Sequence, residues 1–369
     1  MKMDEIKAVA TRFPLSGAVE DARPHGSGHI NDTYAVACRN GDARRRYVFQ
    51  RINRGIFKDV DGLMDNVARV TAHLRAKNAE EEPAHAVRET LTLIPTQNGH
   101  AFHQTETGDA WRVYDFIENA DTYDVCAGPD QAGEAARAFG RFQKQLVDLP
   151  GGPLKETIPY FHHTPRRYEA LDQAFLENAA GRRAEVGAEM AFCEARKPMT
   201  TRVLDLMRDG LIPERTTHND TKLNNVMIDN QTGRAVCVID LDTVMPGSAL
   251  FDFGDMIRTF TPTAPEDEPD LNKVRLDIVI FEGLARGYCG MAREFLTDAE
   301  REHLVFAGKL ITFTIGIRFL TDYLAGDVYF KVHRPGHNLD RARTQFKMVE
   351  EIERNEPTMN ALVQDALKG

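Results

Sequence analysis

The segment His218-Asn219-Asp220-Thr221-Lys222-Leu223-Asn224-Asn225 constrains the fold and chemistry of this chain more than any other. It places a carboxylate on a polar loop and, five positions later, a side-chain amide. Two short apolar runs follow, at 226–228 and 236–239, and the polar turn between them predicts a β-hairpin. The second run ends at Asp240, so the hairpin brings a second carboxylate close to the loop.

The three oxygen-bearing side chains of Asp220, Asn225 and Asp240 suit phosphoryl transfer. That reaction needs a carboxylate to take the proton of an acceptor hydroxyl and a divalent ion to hold phosphate oxygens. Asp220 is the predicted catalytic base, and Asn225 and Asp240 are predicted ligands of Mg²⁺. Lys222 can offset the accumulated negative charge. Aspartate and asparagine in a loop also cap turns, but the ordered set of three favours catalysis.

The spacing H-x-D-x-x-x-x-N, followed by a hydrophobic strand that ends in aspartate, resembles the catalytic and metal loops of the protein-kinase-like superfamily. It looks like the branch of aminoglycoside phosphotransferases and choline kinases, in which I-D replaces D-F-G. The resemblance implies a bilobal α+β fold. A small β-rich lobe, residues 1–117, would bind ATP, and a larger, mainly helical lobe, residues 118–369, would carry catalysis and the acceptor site.

The pattern of the chain agrees with two lobes, which a length of 369 residues also favours. Up to about residue 120 the pattern is mixed. It predicts a strand–turn–strand over 25–38 with the turn at Gly26 and Gly28, strands at 46–52 and 111–117, and a helix near 60–77. Beyond that point apolar residues recur mostly at helical spacing. The hairpin is the main exception.

Several segments resemble the N-acetylhexosamine 1-kinase family more closely, and together they run from about residue 26 to residue 340. That family phosphorylates the anomeric hydroxyl of free N-acetylglucosamine or N-acetylgalactosamine. The resemblance therefore implies an ATP-dependent kinase that makes a sugar 1-phosphate. The matching segments are Gly28–Tyr34, Trp111–Tyr114, His218–Asn225, Ile239–Ser248 (IDLDTVMPGS, the most specific) and Arg318–Leu324.

The nucleotide side begins at a glycine-rich turn formed by Gly26, Ser27 and Gly28. Glycines there let backbone N–H groups approach phosphate oxygens, although hairpin turns also use glycine. Protein kinases place a lysine in the strand that follows, whereas this chain has Gln50 and Arg51. Because strand side chains alternate, only one of them faces the nucleotide. We assign Gln50 to that role and expect Arg51 to be solvated.

The connection between the lobes is predicted at Tyr114, Asp115, Phe116 and Ile117. In the kinase fold the backbone groups of this connection pair with adenine, so position matters more than side-chain type. For Phe116, a place in the hydrophobic core is an equal alternative.

The predicted acceptor contacts are His29, Asn31, Asp242, Arg258, Arg318 and Tyr329. Arg318 and Asp322 lie four residues apart on one helix face, and the spacing alone favours an ion pair between them. The family resemblance instead makes Arg318 a sugar contact.

The other acceptor candidates keep alternative roles. Tyr329 can hydrogen-bond a hydroxyl or stack on a sugar ring. His29 and Asn31 suit either phosphate or sugar. Asp242 can also bind a second ion or hold its loop, and Arg258 can instead anchor Asp252 or Asp255.

Composition narrows the partners. The net charge of −10 disfavours a nucleic-acid partner. We see neither a signal peptide nor the roughly 18 uncharged apolar residues that a membrane span needs. Five scattered cysteines form neither a disulfide framework nor a zinc site. We therefore expect a cytoplasmic protein whose partners are ATP and a small sugar, with no membrane partner.

Two alternatives remain at this point. One keeps the fold and changes the acceptor to an aminoglycoside, choline or homoserine, but Arg318 suits a neutral acceptor better than a cationic one. The other is a non-catalytic nucleotide-binding module, which the missing lysine suggests. The joint presence of Asp220, Asn225 and Asp240 argues against the second.

Overall fold

The structure is a computed structural model that describes residues 3–26, 30–81 and 86–369. Its N-terminal part contains two helices and six strands, which are α1 (Met3–Ala10), β1 (Ala18–Pro24), β2 (Asp32–Asn40), β3 (Ala43–Ile52), α2 (Val60–Glu81), β4 (Leu93–Ile94), β5 (His103–Gln104) and β6 (Ala110–Asp115). The strands form one antiparallel sheet in the order β1-β2-β3-β6-β4, and β5 also pairs with β6. The predicted strands and helix are thus present, but the first strand precedes His25, and Phe116 and Ile117 lie beyond β6.

Alternating side chains give the sheet two differently packed faces. The face toward α1 buries Trp111, the only tryptophan of the chain, which is 0% exposed. The opposite face packs on α2, where Tyr114 joins a cluster with Leu63 and Val67. Gln50 of β3 and Arg112 of β6 pair across the sheet and, by alternation, lie on this second face.

The C-terminal part is mainly helical. Its helices are α3 (Pro129–Leu146), α4 (Thr164–Glu177), α5 (Gly187–Arg196), α6 (Arg202–Arg208), α7 (Ala249–Phe260), α8 (Ile278–Ala292), α9 (Asp298–Ala325) and α10 (His337–Lys368). Its short strands are β7 (Ala120–Asp121), β8 (Arg215–Thr217), β9 (Val226–Asp229), β10 (Ala235–Val238) and β11 (Met245–Gly247). The main core lies between α3, α7, α8 and α9, so the helices surround the segment that carries the kinase-like motif.

Helices α3 and α8 cross with their backbones in contact. A Cβ atom at Gly287 would lie 2.0 Å from the carbonyl oxygen of Gly133, and one at Gly283 would lie 2.2 Å from that of Pro129. Any side chain at either position would force the helices apart. Glycine is therefore required here by the closeness of the helices.

Helix α9 is the long apolar helix of the C-terminal part. It begins at a capping box between Thr297 and Glu300 and ends at Gly326, whose φ of 99° is left-handed. Among the described helices it alone is long and apolar enough to cross a membrane, but 72% of its most apolar stretch is buried. Because it packs against α4, α7 and α10, its apolar residues are used inside the helical part.

The two parts share a hydrophobic cluster. Leu63 and Val67 of α2 pack with Leu241 and Val244 from the segment after β10. The buried amide of Asn66 donates to the carbonyl oxygens of Lys155 at 2.8 Å and Val244 at 3.2 Å. Helix α2 is thus fixed to the segment that follows Asp240.

Candidate active site

The hairpin holds the polar loop and the end of β10 together. Strands β9 and β10 pair antiparallel, as predicted. The backbone N–H of Ile239 donates to the carbonyl oxygen of Asn225 at 2.9 Å, and Nε2 of His218 lies 2.9 Å from the carbonyl oxygen of Ile239. These bonds fix the segment that carries Asp220 and Asn225 beside Asp240.

Helix α7 anchors this loop through Asp252. The buried carboxylate accepts the backbone N–H groups of His218 at 2.9 Å and Asn219 at 2.6 Å. It also accepts Nε2 of Gln143 at 2.6 Å, and the Asp252 carbonyl oxygen accepts the hydroxyl of Thr221 at 2.6 Å. This anchoring role was not predicted, although an aspartate between the apolar residues Phe251 and Phe253 was a usable signal.

Asp220 lies between an amide and an ammonium group. Nδ2 of Asn225 donates to its carbonyl oxygen at 2.7 Å, and Nζ of Lys222 lies 2.9 Å from its carboxylate. Burial would raise the pKa of Asp220, but the charge and hydrogen bond of Lys222 outweigh it and lower the pKa. Asp220 is therefore a carboxylate at neutral pH, as a proton acceptor must be.

Asp240 is the carboxylate with excess negative charge around it. Its backbone is left-handed, with φ of 58°, an uncommon conformation for a residue other than glycine. Burial, followed by the charges of Asp242 and Asp220, raises the pKa of Asp240 to about 6. A divalent cation would relieve this repulsion, and the Asp240 carboxylate with the amide oxygen of Asn225 forms an oxygen donor set that fits Mg²⁺.

The glycine turn is only partly described. Gly26 is exposed, with φ of 79°, and the turn is closed at its base by the backbone N–H of His25, which donates to the carbonyl oxygen of Thr33 at 2.9 Å. Ser27, Gly28 and His29 lie outside the described residues, so their predicted contacts stay predictions.

In β3, Gln50 points inward and Arg51 outward, as alternation predicts. Gln50 donates to the hydroxyl of Thr33 at 3.1 Å and accepts Nε of Arg112 at 2.9 Å. Arg51 is partly exposed and forms an ion pair with Asp32. The contact of Gln50 with the nucleotide stays a prediction.

Asp242 connects the two parts of the molecule. One carboxylate oxygen lies 2.5 Å from Nη1 of Arg112, and the other accepts Nδ2 of Asn31 at 2.6 Å. Oδ1 of Asn31 accepts the backbone N–H of Asn53 at 2.9 Å, and the Asp242 carbonyl oxygen accepts the hydroxyl of Thr157 at 2.7 Å. Both side chains thus hold their loops, and their contacts with substrate stay predictions. The role of Arg112 was not predicted, since its partner lies far away in sequence.

The connection between the lobes keeps a backbone position open. The carboxylate of Asp115 is paired with Arg45, and its backbone N–H donates to the carbonyl oxygen of Thr92 at 2.9 Å. Tyr114 is buried, and Phe116 is covered by the guanidinium of Arg46 at 3.8 Å. Within the described residues the backbone N–H of Ile117 has no hydrogen-bond partner. The pairing of this connection with adenine stays a prediction.

Arg318 lies among aromatic rings on the acceptor side. Its guanidinium carbon is 5.7 Å from the ring centre of Phe161, 5.8 Å from that of Tyr329 and 5.5 Å from that of Phe330. Tyr329 is 61% exposed. Neither Phe161 nor Phe330 was singled out from the sequence. A guanidinium held between aromatic faces suits a planar or ring-shaped polar ligand.

The prediction of an ion pair between Arg318 and Asp322, made from their spacing, is wrong. Both Asp322 carboxylate oxygens accept other donors, which are the backbone N–H groups of Val328, Tyr329 and Phe330 at 2.8 to 2.9 Å and Nδ2 of Asn338 at 2.9 Å. Asp322 therefore holds the loop after α9. This arrangement positions Tyr329, whose side chain forms a hydrogen bond with Arg318, and it keeps Asp322 from pairing with Arg318.

Arg258 and Asp255 form a second polar group nearby. Nε of Arg258 donates to Asp255 at 2.7 Å, so the alternative of an Asp255 anchor is correct and that of an Asp252 anchor is not. Oδ2 of Asp255 and Nδ1 of His162 are buried without a hydrogen-bond partner in the described part of the chain. Such orphaned polar atoms beside a site suggest donors and acceptors kept for a ligand. A direct contact of Arg258 with substrate stays a prediction.

The chain has a protein-kinase-like fold. It consists of an N-terminal antiparallel sheet and a larger, mainly helical part, which contains the polar loop and the hairpin of β9 and β10. The profile of the phosphotransferase enzyme family (APH) matches residues 21–288, most of the chain. This chain belongs to the phosphotransferase enzyme family.

Solved structures with the same fold cover almost the whole chain. A spectinomycin phosphotransferase, APH(9)-Ia, determined with ADP and spectinomycin, is 12% identical with a TM-score of 0.59, covering 96% of this chain and 99% of that one. An aminoglycoside phosphotransferase from Alicyclobacillus acidocaldarius is 13% identical with a TM-score of 0.55, covering 97% and 95%. A choline kinase from Cryptosporidium parvum is 14% identical with a TM-score of 0.55, covering 99% of both chains. These similarities concern the fold.

Proposed function

We propose that this protein is an ATP- and Mg²⁺-dependent kinase that phosphorylates the anomeric hydroxyl of a free N-acetylhexosamine. The observation that carries the proposal is the convergence of Asp220, Asn225 and Asp240 on one loop–hairpin pair. The nucleotide complexes of structural relatives, such as the ADP complex of the spectinomycin enzyme, support nucleotide binding by this protein. The family resemblance of the sequence names the sugar.

On the nucleotide side, Asn225 and Asp240 would hold Mg²⁺, which would neutralise charge on the phosphate oxygens. Within the described residues no three His, Cys, Asp or Glu side chains form a complete metal site. This agrees with the usual binding of Mg²⁺ by one or two protein side chains together with phosphates and water. The unpaired backbone N–H of Ile117 would pair with adenine.

On the acceptor side, Asp220 orients the sugar hydroxyl and accepts its proton. The hydroxyl oxygen forms a bond to the γ-phosphorus while the bond from that phosphorus to the bridging oxygen breaks, and ADP leaves. Lys222 keeps Asp220 ionised before the transfer. Because an anomeric hydroxyl is more acidic than an ordinary alcohol, a carboxylate of low pKa suffices as the base.

The charges around the acceptor side favour a neutral sugar over a cation. Burial is the largest cause that lowers the pKa of Arg318, and Arg258 lowers it further. Burial and then Arg318 lower the pKa of Arg167. The guanidinium of Arg318 is therefore close to two other positive charges, those of Arg258 and Arg167, and a cationic aminoglycoside or choline would add to that repulsion. A sugar hydroxyl or N-acetyl oxygen would instead accept from Arg318.

The test is ATP consumption with N-acetylglucosamine and N-acetylgalactosamine, beside a panel of aminoglycosides, choline and homoserine. Asp220→Asn should lower kcat by roughly 10²- to 10⁴-fold, because the base is lost, while MgADP binding remains. Phosphorus NMR should identify a sugar 1-phosphate. Equal turnover by the variant would reject Asp220 as the base, and phosphorylation of a cation in preference to the sugars would reject the acceptor. Nucleotide binding without product from any acceptor would favour the non-catalytic module.

A further inference from the structure

The strand that carries lysine in protein kinases carries Gln50 here, and a cation is supplied from the neighbouring strand. Gln50 and Arg112 are direct partners in the β3–β6 register, and Nε of Arg112 donates to Oε1 of Gln50 at 2.9 Å. The guanidinium of Arg112 therefore lies on the sheet face toward the C-terminal part, one strand away from the usual position of the lysine.

Arg112 forms a fully buried ion pair with Asp242. The two side chains are 1% and 3% exposed, and Nη1 lies 2.5 Å from Oδ1. Removing two charges from water is costly, and a buried pair is tolerated only when its geometry and hydrogen bonds compensate. Gln50 and Asn31 supply those additional hydrogen bonds. These hydrogen bonds hold the ion pair in a fixed geometry at the boundary between the lobes.

Helix α2 takes no part in this charge pair. In protein kinases the lysine of β3 pairs with a glutamate of the following helix. Here the contact of that helix with Arg112 is made by the thioether of Met64, at 3.9 Å. The acidic residues of its first turns, Asp61 and Asp65, are exposed. The ion pair instead runs directly from the sheet to the loop that follows the metal-binding strand.

Asp242 transmits this contact to both sides of the nucleotide site. It lies two residues after Asp240, within the short turn of residues 241–243. Its second oxygen holds Asn31, next to the glycine turn, and Asn31 in turn holds the backbone of Asn53. One carboxylate therefore fixes the Asp240 loop relative to the start of β2, and Arg112 fixes that carboxylate.

We propose that Arg112 is the positioning residue that replaces the lysine of β3 in this protein, acting through Asp242 to set the Asp240 loop for metal-bound nucleotide. The role rests on the proposed nucleotide-dependent function. Partners of metal ligands typically change metal affinity or activity by about 10- to 100-fold when removed. Arg112→Met should lower kcat and raise the Mg²⁺ concentration needed for half-maximal rate by amounts in that range, while KM for the sugar changes little.

The experiment compares Arg112→Met, Arg112→Lys, Asp242→Asn and the double variant Arg112→Met/Asp242→Asn. Arg39→Met is the matched control, because Arg39 lies on the same sheet in an exposed ion pair with Glu20. We expect Arg112→Lys to retain more activity than Arg112→Met, and the double variant to lose no more than the worse single variant, because both act through one pair.

Thermal stabilisation by MgADP is measured for every variant beside the sugar kinase rate. It should fall for Arg112→Met and stay at the parent level for Arg39→Met, whether or not the sugar is the acceptor, so the two proposals can fail separately. If Arg112→Met does not fold, the comparison of Arg112→Lys with the parent decides. Parent-like Mg²⁺ dependence and MgADP response in a folded Arg112 variant, or additive losses in the double variant, would overturn the proposal.

Discussion

The neighbouring carboxylates of Asp220, Asp240 and Asp242 differ in their partners. Asp220 has Lys222 at 2.9 Å, and Asp242 has Arg112 at 2.5 Å. Within the described residues no lysine or arginine forms an ion pair with Asp240. Its charge is therefore the one that needs an external cation, and this distinguishes the proposed ligand of Mg²⁺ from the proposed base and from the loop-holding residue.

The metal-free protein should be destabilised by Asp240 at neutral pH. The pKa of Asp240 is raised from 3.8 to about 6 in the folded protein. The folded state therefore binds this proton more tightly than the unfolded state, and stability is lost as pH rises through that interval. In EDTA, Asp240→Asn should unfold at a higher temperature than the parent at about pH 8, with the difference vanishing near pH 4. Calorimetry across this range tests it. An Asn variant that is less stable at the higher pH would contradict the assignment.

Arg318 should act on acceptor binding and leave nucleotide binding intact. Arg318→Lys keeps the charge but loses the planar group that lies among three rings. Hydrogen bonds to charged groups contribute about 1.5–3 kcal/mol, so KM for the sugar should rise roughly 10-fold or more. KM for ATP is the internal control. If it rises equally, Arg318 supports the site as a whole and does not contact the sugar.

At the scale of elements, the hairpin and the helices fix the positions of the candidate catalytic residues. Strands β9 and β10 bring Asp240 beside the loop, and α7 fixes that loop through Asp252. Helix α7 is in turn packed between α8 and α9. The position of the catalytic loop therefore depends on how closely α7, α8 and α9 pack against one another.

The α3–α8 crossing gives a matched pair of substitutions within one helix. Gly287→Ala would place its Cβ 2.0 Å from a backbone oxygen, whereas Gly290→Ala meets nothing within 4 Å. Overpacking costs about 1–3 kcal/mol or more, while replacing an unconstrained helical glycine by alanine gains up to about 1 kcal/mol. Denaturant unfolding should therefore give shifts of opposite sign. Shifts of the same sign would show that α3 and α8 do not touch as described.

Local pattern predicted those elements whose signal is contained within a few residues. The hairpin, the spacing from Asp220 to Asn225, and the inward direction of Gln50 all follow from strand alternation and short spacing. The pairing of Arg112 with Asp242 could not be predicted, because the two residues are 130 positions apart and meet only when the lobes assemble. The spacing of Arg318 and Asp322 misleads because backbone N–H groups after α9 compete for the carboxylate.

At the scale of the whole molecule, the two lobes share one hydrophobic cluster and one buried ion pair. Phe142 and Leu146 of α3 join the cluster between α2 and Leu241. Separation of the lobes would expose this apolar surface and leave Arg112 or Asp242 without a partner. The lobes are therefore expected to unfold together.

Leu241→Ala tests this coupling. A buried leucine replaced by alanine costs about 2–5 kcal/mol, and because Leu241 contacts both lobes the loss should appear in both. Hydrogen exchange should report the same decrease in protection for amides of β3 and of α9. Ile311→Ala, buried in the helical core alone, is the control for a substitution of similar size. Decreased protection confined to α9 in the Leu241 variant would mean that the lobes unfold independently.

The single buried tryptophan makes the protein its own optical probe. Trp111 precedes Arg112 in the central part of the N-terminal sheet, with its indole away from water. Fluorescence excited selectively at indole thus follows that sheet alone, whereas far-ultraviolet circular dichroism is dominated by the helices. A change in emission on adding nucleotide would report, without any attached dye, whether the strand beside the ion pair moves.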